Sequence, residues 1–313
     1  MAPTSTDQPP ILVCEGVWGD AFADLAARYG VRREGTCPDD LTGVRALVVR
    51  NRTKVDPTVL RSPDLRVIAR AGVGLDNIDI AAADAAGVVV VAPLGANAGS
   101  VAELTLGLAL DVLRGISRLD RAVRRGEWSR EAGSELAGRV WGVLGVGATG
   151  RAVARLAAAF GAQVIGYDPY AAPGAVPLVE LDELRERAQV FSVHLPATER
   201  TRGLLDAAWF DRMRPGAVLI NVGRGDVLDE GALLAALKSG RLAGAALDVR
   251  ADEPPIVGEL ESLETVVLTP HIAGATAEAQ ARIAGVLAAD IERILTGAAA
   301  ESSVGSLDRP GRS

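Results

Sequence analysis

Cysteine and histidine are both scarce, with two of each in 313 residues. Cys14 and Cys37 have neither the spacing of metal ligands nor enough partners for a disulfide framework. The number and spacing of the cysteines exclude a disulfide-stabilised scaffold and favour a reducing cytoplasm. No metal site is expected. The two histidines, His194 and His271, stand out as candidates for chemistry.

Long apolar runs and an excess of positive charge are also absent. No stretch approaches the roughly 18 consecutive apolar residues of a transmembrane helix. The first residues, MAPTSTDQPP, lack the basic and apolar regions of a signal peptide and are expected to form a polar tail. The formal net charge of -7 offers no global attraction to nucleic acid or to an anionic membrane. Neither nucleic acid nor a membrane is therefore expected as a partner.

Aromatic residues make up 4% of the chain and hydrophobic residues 49%, so a core of Ala, Val and Leu is expected. Strand and helix patterns alternate along the sequence, which is typical of an α/β protein with parallel sheets. The length fits two domains. We expect a flavodoxin-like substrate domain from residues 1–98 and 288–313, and a Rossmann-type doubly wound domain from residues 99–287. Residues 298–313 have too little apolar content to fold alone and are expected to form a loose tail.

The clearest motif lies between residues 139 and 170, RVWGVLGVGATGRAVARLAAAFGAQVIGYDPY. It predicts a strand, a glycine turn with the dinucleotide spacing, a helix and a second strand. Asp168 follows that second strand, where a carboxylate accepts ribose hydroxyls and repels a 2′-phosphate, so NAD is favoured over NADP. The residues assigned to the cofactor loop are Gly145, Gly147, Ala148, Thr149 and Gly150.

Reactive side chains fall at or just beyond the carboxyl ends of the predicted strands that follow. Open parallel sheets bind ligands at that edge. His271 has Thr-Pro before it and a small-residue run after it, which favours catalysis over a structural role, whereas His194 is expected to line the cofactor or to be structural. The residues at these strand ends are His194, Arg224, Asp248, Glu253 and His271.

Eight segments together resemble the D-isomer-specific 2-hydroxyacid dehydrogenase family. They are RNRTKVD, RAGVGLDNID, GANAGSVAEL, GVLGVGATG, HLPATERT, NVGRGDVLD, DVRADEPP and TPHIAGAT. The resemblance implies an NAD-dependent oxidoreductase that forms a homodimer, with residues 100–135 as a contact region. It also implies Arg224 as the substrate-binding arginine, Glu253 as the acidic partner and His271 as the proton-transfer residue. The other cofactor contacts that it implies are His194, Pro196, Thr201, Val222 and Asp248.

Those catalytic roles make chemical sense. Hydride transfer to a 2-oxo acid requires a proton donor at the developing alkoxide, and an imidazole is well matched to that task near neutral pH. A carboxylate at Glu253 would stabilise and orient the imidazolium of His271. A guanidinium at Arg224 would bind the substrate carboxylate and polarise the carbonyl group.

The first domain is expected to supply the substrate pocket. Val73 and Gly74 belong to a loop whose amides can hold a carboxylate, and Arg50, Arg52 and Lys54 can meet a second anionic group. Ordinary surface charge is the alternative for Arg52 and Lys54.

The substrate is expected to be a small anionic D-2-hydroxy acid, with 3-phosphoglycerate and 3-phosphohydroxypyruvate first. Hydroxypyruvate, glyoxylate and phosphono- or sulfopyruvate are alternatives, because the pair Ala148-Thr149 departs from the arginine and isoleucine of many relatives. A different class, an NAD-sensing interaction module like the corepressors of this fold, also fits these motifs. Formate dehydrogenases fit less well, since their usual partner at Glu253 is glutamine.

Overall fold

The computed structural model describes residues 10–16 and 21–307, so the expected polar tail of the first residues lies outside the described part. The chain divides into two compact units, Met1–Asn97 with Ala275–Ser313, and Ala98–Gly274. The return to the first unit comes at Ala275, earlier than the expected residue 288. The reason is that the last helix begins at Ala277 and packs against the first helix and one strand of the first unit. Within the described residues, no helix is both long enough and apolar enough to cross a membrane.

The first unit is built on a parallel sheet with helices packed against it. Its elements are β1 Ile11–Cys14, α1 Ala21–Tyr29, β2 Val31–Glu34, β3 Ala46–Val49, β4 Val67–Arg70, α2 Ile80–Ala86, β5 Val89–Val91 and, from the end of the chain, α9 Ala277–Leu295. The five strands are in the order β2-β1-β3-β4-β5. This is the flavodoxin-like order, in which the direction of strand progression changes between β1 and β3. Apolar residues of α1 and α9 form one core cluster with one face of this sheet.

Residues 298–307 of this unit are ordered, contrary to the expectation of a loose tail there. This C-terminal segment runs antiparallel beside β5, where Ala92 donates its amide to the Ser302 carbonyl at 3.0 Å and Val304 donates to Val90 at 2.9 Å. Asp290 of α9 holds it by accepting the amides of Glu301 and Ser302, each at 2.9 Å. Polar contacts order this segment, and an apolar pattern could not predict them.

The second unit is built on a larger parallel sheet. Its strands are β6 Val140–Leu144, β7 Gln163–Tyr167, β8 Val190–Val193, β9 Ala217–Asn221, β10 Leu242–Leu247 and β11 Val266–Leu268. Its helices are α3 Ala98–Arg114, α4 Ile116–Arg124, α5 Ala148–Ala159, α6 Leu181–Arg187, α7 Ala207–Arg212 and α8 Glu230–Lys238. The six strands are in the order β11-β10-β9-β8-β6-β7. Every strand pair is parallel, so all carboxyl ends share one edge, and the progression reverses between β6 and β8.

Helices cover both faces of this second sheet, as a doubly wound fold requires. Residues of α3 and α5 pack with one face, and residues of α6, α7 and α8 pack with the other. Mostly aliphatic side chains fill both layers, and the buried Trp141 donates its indole N–H to the Ser192 hydroxyl at 2.8 Å. The predicted α/β class with two parallel sheets is confirmed.

Asp290 generates a prediction about stability and pH. Its side chain is 1% exposed, and burial would raise its pKa, but hydrogen bonds from Ser302, Glu301 and Arg293 outweigh burial and lower the pKa of Asp290. A depressed carboxyl pKa stabilises the fold above the ordinary value of 3.8 and loses that contribution as the pH falls below it. We expect Asp290→Asn to cost about 1–3 kcal/mol at pH 7, measured by thermal unfolding.

The gap between wild type and Asp290→Asn should shrink as the pH is lowered from about 7 to about 3. A gap that stays constant over this range would contradict the assignment. Asp24→Asn, an exposed change in the same unit, is the control and should alter stability by less than about 0.5 kcal/mol.

Candidate active site

The glycine loop connects β6 to α5 in the second unit. Gly145 has a φ of 92°, and a Cβ at Gly150 would overlap the Gly145 carbonyl oxygen, so the helix begins directly against the end of the strand. A Cβ at Gly147 would meet nothing within 4 Å. No side chain in the described part of the chain caps α5 there. The first amides of the helix, including those of Ala148 and Thr149, are therefore open to an anion such as a pyrophosphate.

Asp168 lies beside this loop at the end of β7. Its Oδ2 accepts the amide of Val146 at 2.9 Å and its Oδ1 accepts the amide of Tyr170 at 2.9 Å. These bonds fix the carboxylate next to the glycine loop, where the family pattern expects the ribose of a dinucleotide.

His194 follows β8, the strand on the other side of β6. Both ring nitrogens are shielded from solvent, and neither has a hydrogen-bond partner among the described residues. Burial lowers the pKa of His194 to about 3, so its ring is neutral at physiological pH. Unpaired buried nitrogens at the switch point of a doubly wound sheet fit a bound ligand that completes their hydrogen bonding.

The other predicted cofactor residues lie on the same edge. Thr201 closes the loop after β8 by donating its hydroxyl to the Pro196 carbonyl at 2.6 Å. Val222 is buried directly after β9. Together with the open glycine loop and His194, these residues fit a dinucleotide, and their individual contacts to it stay predictions.

Asp248, 1% exposed at the end of β10, organises the loop that carries His271. Its Oδ1 accepts the Thr269 hydroxyl at 2.6 Å and the Ile272 amide at 2.9 Å, and its Oδ2 accepts the Ala273 amide at 2.9 Å. The Asp248 carbonyl accepts the amide of His271 at 2.8 Å. The predicted contact of Asp248 with the cofactor stays a prediction, and its bonds within the chain show that it holds the histidine loop.

His271 and Glu253 form an imidazole–carboxylate pair. His271 Nδ1 lies 2.7 Å from Glu253 Oε2, with the two side chains 44% and 36% exposed. His271 has a φ of 54°, in the left-handed region that L-residues seldom adopt. Glu253 Oε1 accepts the Arg250 amide at 3.2 Å, which anchors the other carboxylate oxygen.

Arg224 lies in the loop after β9. The fully buried Asn221 shapes this loop: its Oδ1 accepts the Gly223 amide and its Nδ2 donates to the Arg224 carbonyl, each at 3.1 Å. A methyl group at Gly225 would overlap the carbonyl of Arg250, so the arginine loop lies directly on the loop that leads to Glu253. The structure thus places all three predicted catalytic residues at one edge of one sheet.

In the first unit, the predicted anion-binding loop is held by a residue that sequence reasoning missed. Glu15, 8% exposed after β1, accepts the amides of Arg50, Arg52 and Thr53 at 3.3, 3.2 and 2.9 Å, and also the Thr53 hydroxyl. Burial would raise the pKa of Glu15, but these hydrogen bonds outweigh it and lower the pKa. An acid directly after the first strand was the signal for this role.

The two predicted substrate loops of this unit are joined. Asn77 Nδ2 donates to the carbonyls of Arg50 and Thr53 at 2.8 and 2.5 Å, and Asn77 follows Val73 and Gly74 in the second loop. Arg50 also donates from its guanidinium to the Gly16 carbonyl at 3.1 Å.

A cleft of about 540 Å³ opens beside the first of these loops. Arg52 and Lys54 line it together with Glu15, and the Arg52 side chain is 72% exposed with its Nε 3.5 Å from Glu15 Oε2. Asp39 and Asp56 line the cleft as well, and anion binding at Arg52 and Lys54 stays a prediction.

The glycine loop, the acid at the end of β7 and the imidazole–carboxylate pair define a dinucleotide-binding α/β protein with acid–base groups at its sheet edge. The chain belongs to the D-isomer-specific 2-hydroxyacid dehydrogenase family, since the sequence profile of that family's NAD binding domain matches residues 106–273. This confirms the resemblance seen in the motifs and NAD as the cofactor type.

Similar proteins carry different substrate names. The chain is 44% identical to D-3-phosphoglycerate dehydrogenase of Mycobacterium leprae over 80% of its own length and 49% of that protein. It is 40% identical to (S)-sulfolactate dehydrogenase of Chromohalobacter salexigens, covering 91% of this chain and 98% of that one. The solved TT0316 protein of Thermus thermophilus is 33% identical with a TM-score of 0.88, covering 94% and 99% of the two chains. The chain spans about half the length of the phosphoglycerate dehydrogenases that it matches.

The position of Asp168 leads to a prediction about cofactor choice. Asp168→Ala should weaken NAD binding by about tenfold, or ~1.4 kcal/mol, and should relax discrimination against NADP, as measured by titrating both cofactors. Asp168→Asn is the matched control because it removes the charge and keeps an acceptor for the Val146 amide. An unchanged preference for NAD in both variants would refute the assignment.

Proposed function

We propose that this protein transfers a hydride between NAD and a small anionic D-2-hydroxy acid, with 3-phosphoglycerate and 3-phosphohydroxypyruvate as the first candidate pair. The observation that carries this proposal is the 2.7 Å contact between His271 Nδ1 and Glu253 Oε2. With Glu253 ionised, the shared proton lies at Nδ1, and Nε2 is left for the substrate.

NADH supplies the hydride when it is bound at the glycine loop. His271 gives a proton from Nε2 to the carbonyl oxygen of the 2-oxo acid, and it takes that proton back in the oxidation direction. Glu253 accepts a hydrogen bond from Nδ1 and keeps the ring in one orientation. Arg224 binds the substrate carboxylate and stabilises negative charge on the oxygen.

The proposed acid carries a second anion. The loop with Arg50, Arg52 and Lys54 supports this, because Arg52 and Lys54 line the same cleft. The names of two relatives also support it, since phosphoglycerate bears a phosphate and sulfolactate a sulfonate. Amides near Val73 and Gly74 are proposed to serve the carboxylate.

His271→Ala tests the catalytic assignment. The variant should lose at least about 100-fold in kcat, because general acid–base catalysis contributes about 10²–10⁴-fold, while NADH still binds with unchanged affinity by fluorescence titration. A non-catalytic NAD sensor would show no turnover in the wild type either. The proposal therefore fails if wild-type protein binds NADH and reduces no 2-oxo acid of the panel below.

The substrate panel consists of 3-phosphohydroxypyruvate, sulfopyruvate, phosphonopyruvate, hydroxypyruvate and glyoxylate, followed by NADH oxidation. Acids with a second anion should have the highest kcat/KM, and Arg52→Ala should lower that value about tenfold for them, but less than about twofold for glyoxylate. Arg66→Ala, an exposed arginine before the amino end of β4, is the control. An equal loss on every substrate would contradict the role of Arg52.

We also propose a homodimer through residues 100–135, supported by exposed apolar side chains there: Ile116, Val123 and Trp128 are 54%, 50% and 76% exposed. A monomeric mass by light scattering would contradict it.

A cytoplasmic location is favoured by the two free cysteines, and recovery from a secreted fraction would overturn that assignment.

A further inference from the structure

An ion network lies beneath the loop that leads to Glu253. Arg250 binds Glu230 in a bidentate pair, Nε to Oε1 at 2.8 Å and Nη2 to Oε2 at 2.7 Å, and its Nη1 reaches Glu261 Oε1 at 2.5 Å. The three side chains are 10%, 28% and 17% exposed. One guanidinium therefore joins the first residue of α8 to a short 3-10 turn at Leu260–Ser262.

Stability alone is a poor reason for this network. Removing an arginine and two carboxylates from water costs several kcal/mol per ion, and apolar residues of similar volume often serve the fold equally well. What the network provides is a fixed geometry, because a planar guanidinium with two carboxylate partners leaves little rotational freedom.

The fixed geometry extends to Glu253 through the backbone. Glu230 Oε1 accepts the Ala251 amide at 3.2 Å, and Glu261 Oε2 accepts the Gly258 amide at 2.7 Å, so both acids also hold the loop that contains Glu253. The Arg250 amide in turn donates to Glu253 Oε1 at 3.2 Å. Each carboxylate oxygen of Glu253 thus has one partner, the Arg250 amide on one side and the His271 ring on the other.

The arginine loop depends on the same segment. A methyl group at Gly225 would overlap both the Arg250 carbonyl and the Ala251 amide nitrogen. The backbone of Arg250 and Ala251 therefore packs directly on the backbone next to Arg224, in addition to its bond to the carboxylate of Glu253.

We propose that Arg250 is a positioning residue, whose ion network with Glu230 and Glu261 orients Glu253 towards His271. This rests on the proposed roles of Glu253 and His271. Arg250 itself contacts no reacting group and acts through Glu253.

Arg250→Met tests the proposal when its effect on kcat is compared with its effect on KM for NADH. The variant should lose about tenfold in kcat, since a displacement of about 1 Å can cost up to 10²-fold, while KM for NADH changes less than about twofold. The assay is NADH oxidation with the panel acid that the wild type reduces fastest. Arg250→Lys should recover only part of the loss, because an ammonium cannot form the bidentate pair with Glu230.

Arg185→Met is the matched control. Arg185 is also an arginine of the second unit, its side chain is 9% exposed and paired with Asp182, and it lies over the Trp209 ring, with no bond to the catalytic loops. Its loss should lower the unfolding temperature and leave kcat unchanged. An equal loss of kcat in the Arg185 and Arg250 variants would show that general destabilisation is the cause and would overturn the proposal.

A double-mutant cycle with Glu253→Gln shows whether Arg250 acts through Glu253. In the Glu253→Gln background, Arg250→Met should change kcat by less than about threefold, whereas independent effects would multiply. Multiplying effects would overturn the positioning role. A Glu253→Gln variant with wild-type kcat would instead overturn the proposed function of Glu253.

If Arg250→Met does not fold, Glu261→Gln tests the proposal in its place. This change leaves the bidentate pair between Arg250 and Glu230 in place and should lower kcat about threefold, again without a change in KM for NADH. Wild-type kcat in a folded Glu261→Gln variant, combined with wild-type kcat in Arg250→Lys, would overturn the proposal.

Discussion

Hydrogen bonds from backbone amides to carboxylates that follow the strands are the interaction that holds three of the candidate functional loops. Asp248 holds the histidine loop, Glu15 holds the loop with Arg50, and Asp168 holds the start of the glycine loop. A carboxylate can accept several amides at once and keeps no donor that would need its own partner. The amides of a loop that follows a strand have no partner strand to bond to. These acids therefore supply the acceptors that the sheet cannot provide.

The strand order reverses at one point in each sheet, and the two units have different residues there. In each, strand progression reverses beside the first strand of the unit, and the chain leaves a crevice at that point. The second unit opens its crevice with glycines and an unpaired imidazole at His194. The first unit has Glu15 at the corresponding position, and Glu15 holds the loop for which anion binding is proposed. Parallel strands thus explain why residues far apart in sequence come together at one edge.

Strands that carry the site were predictable because buried parallel strands are continuous apolar runs, as at residues 140–144 and 190–193. β2 was missed because its sequence, VRRE, is polar and lies at the sheet edge. The C-terminal segment was missed because Asp290 orders it through polar contacts. Glu230 lies 20 residues before Arg250, and Glu261 lies 11 residues after it. Only the folded chain brings these three side chains together.

At position 271, the left-handed backbone favours one residue for stability, and the proposed chemistry favours another. A φ of 54° suits glycine and costs an L-residue about 1 kcal/mol or more. The strain persists because Asp248 fixes the amides on both sides of the turn. A library of variants sorted for heat resistance would therefore enrich glycine at this site, whereas one sorted for turnover would retain the imidazole if His271 transfers the proton as proposed.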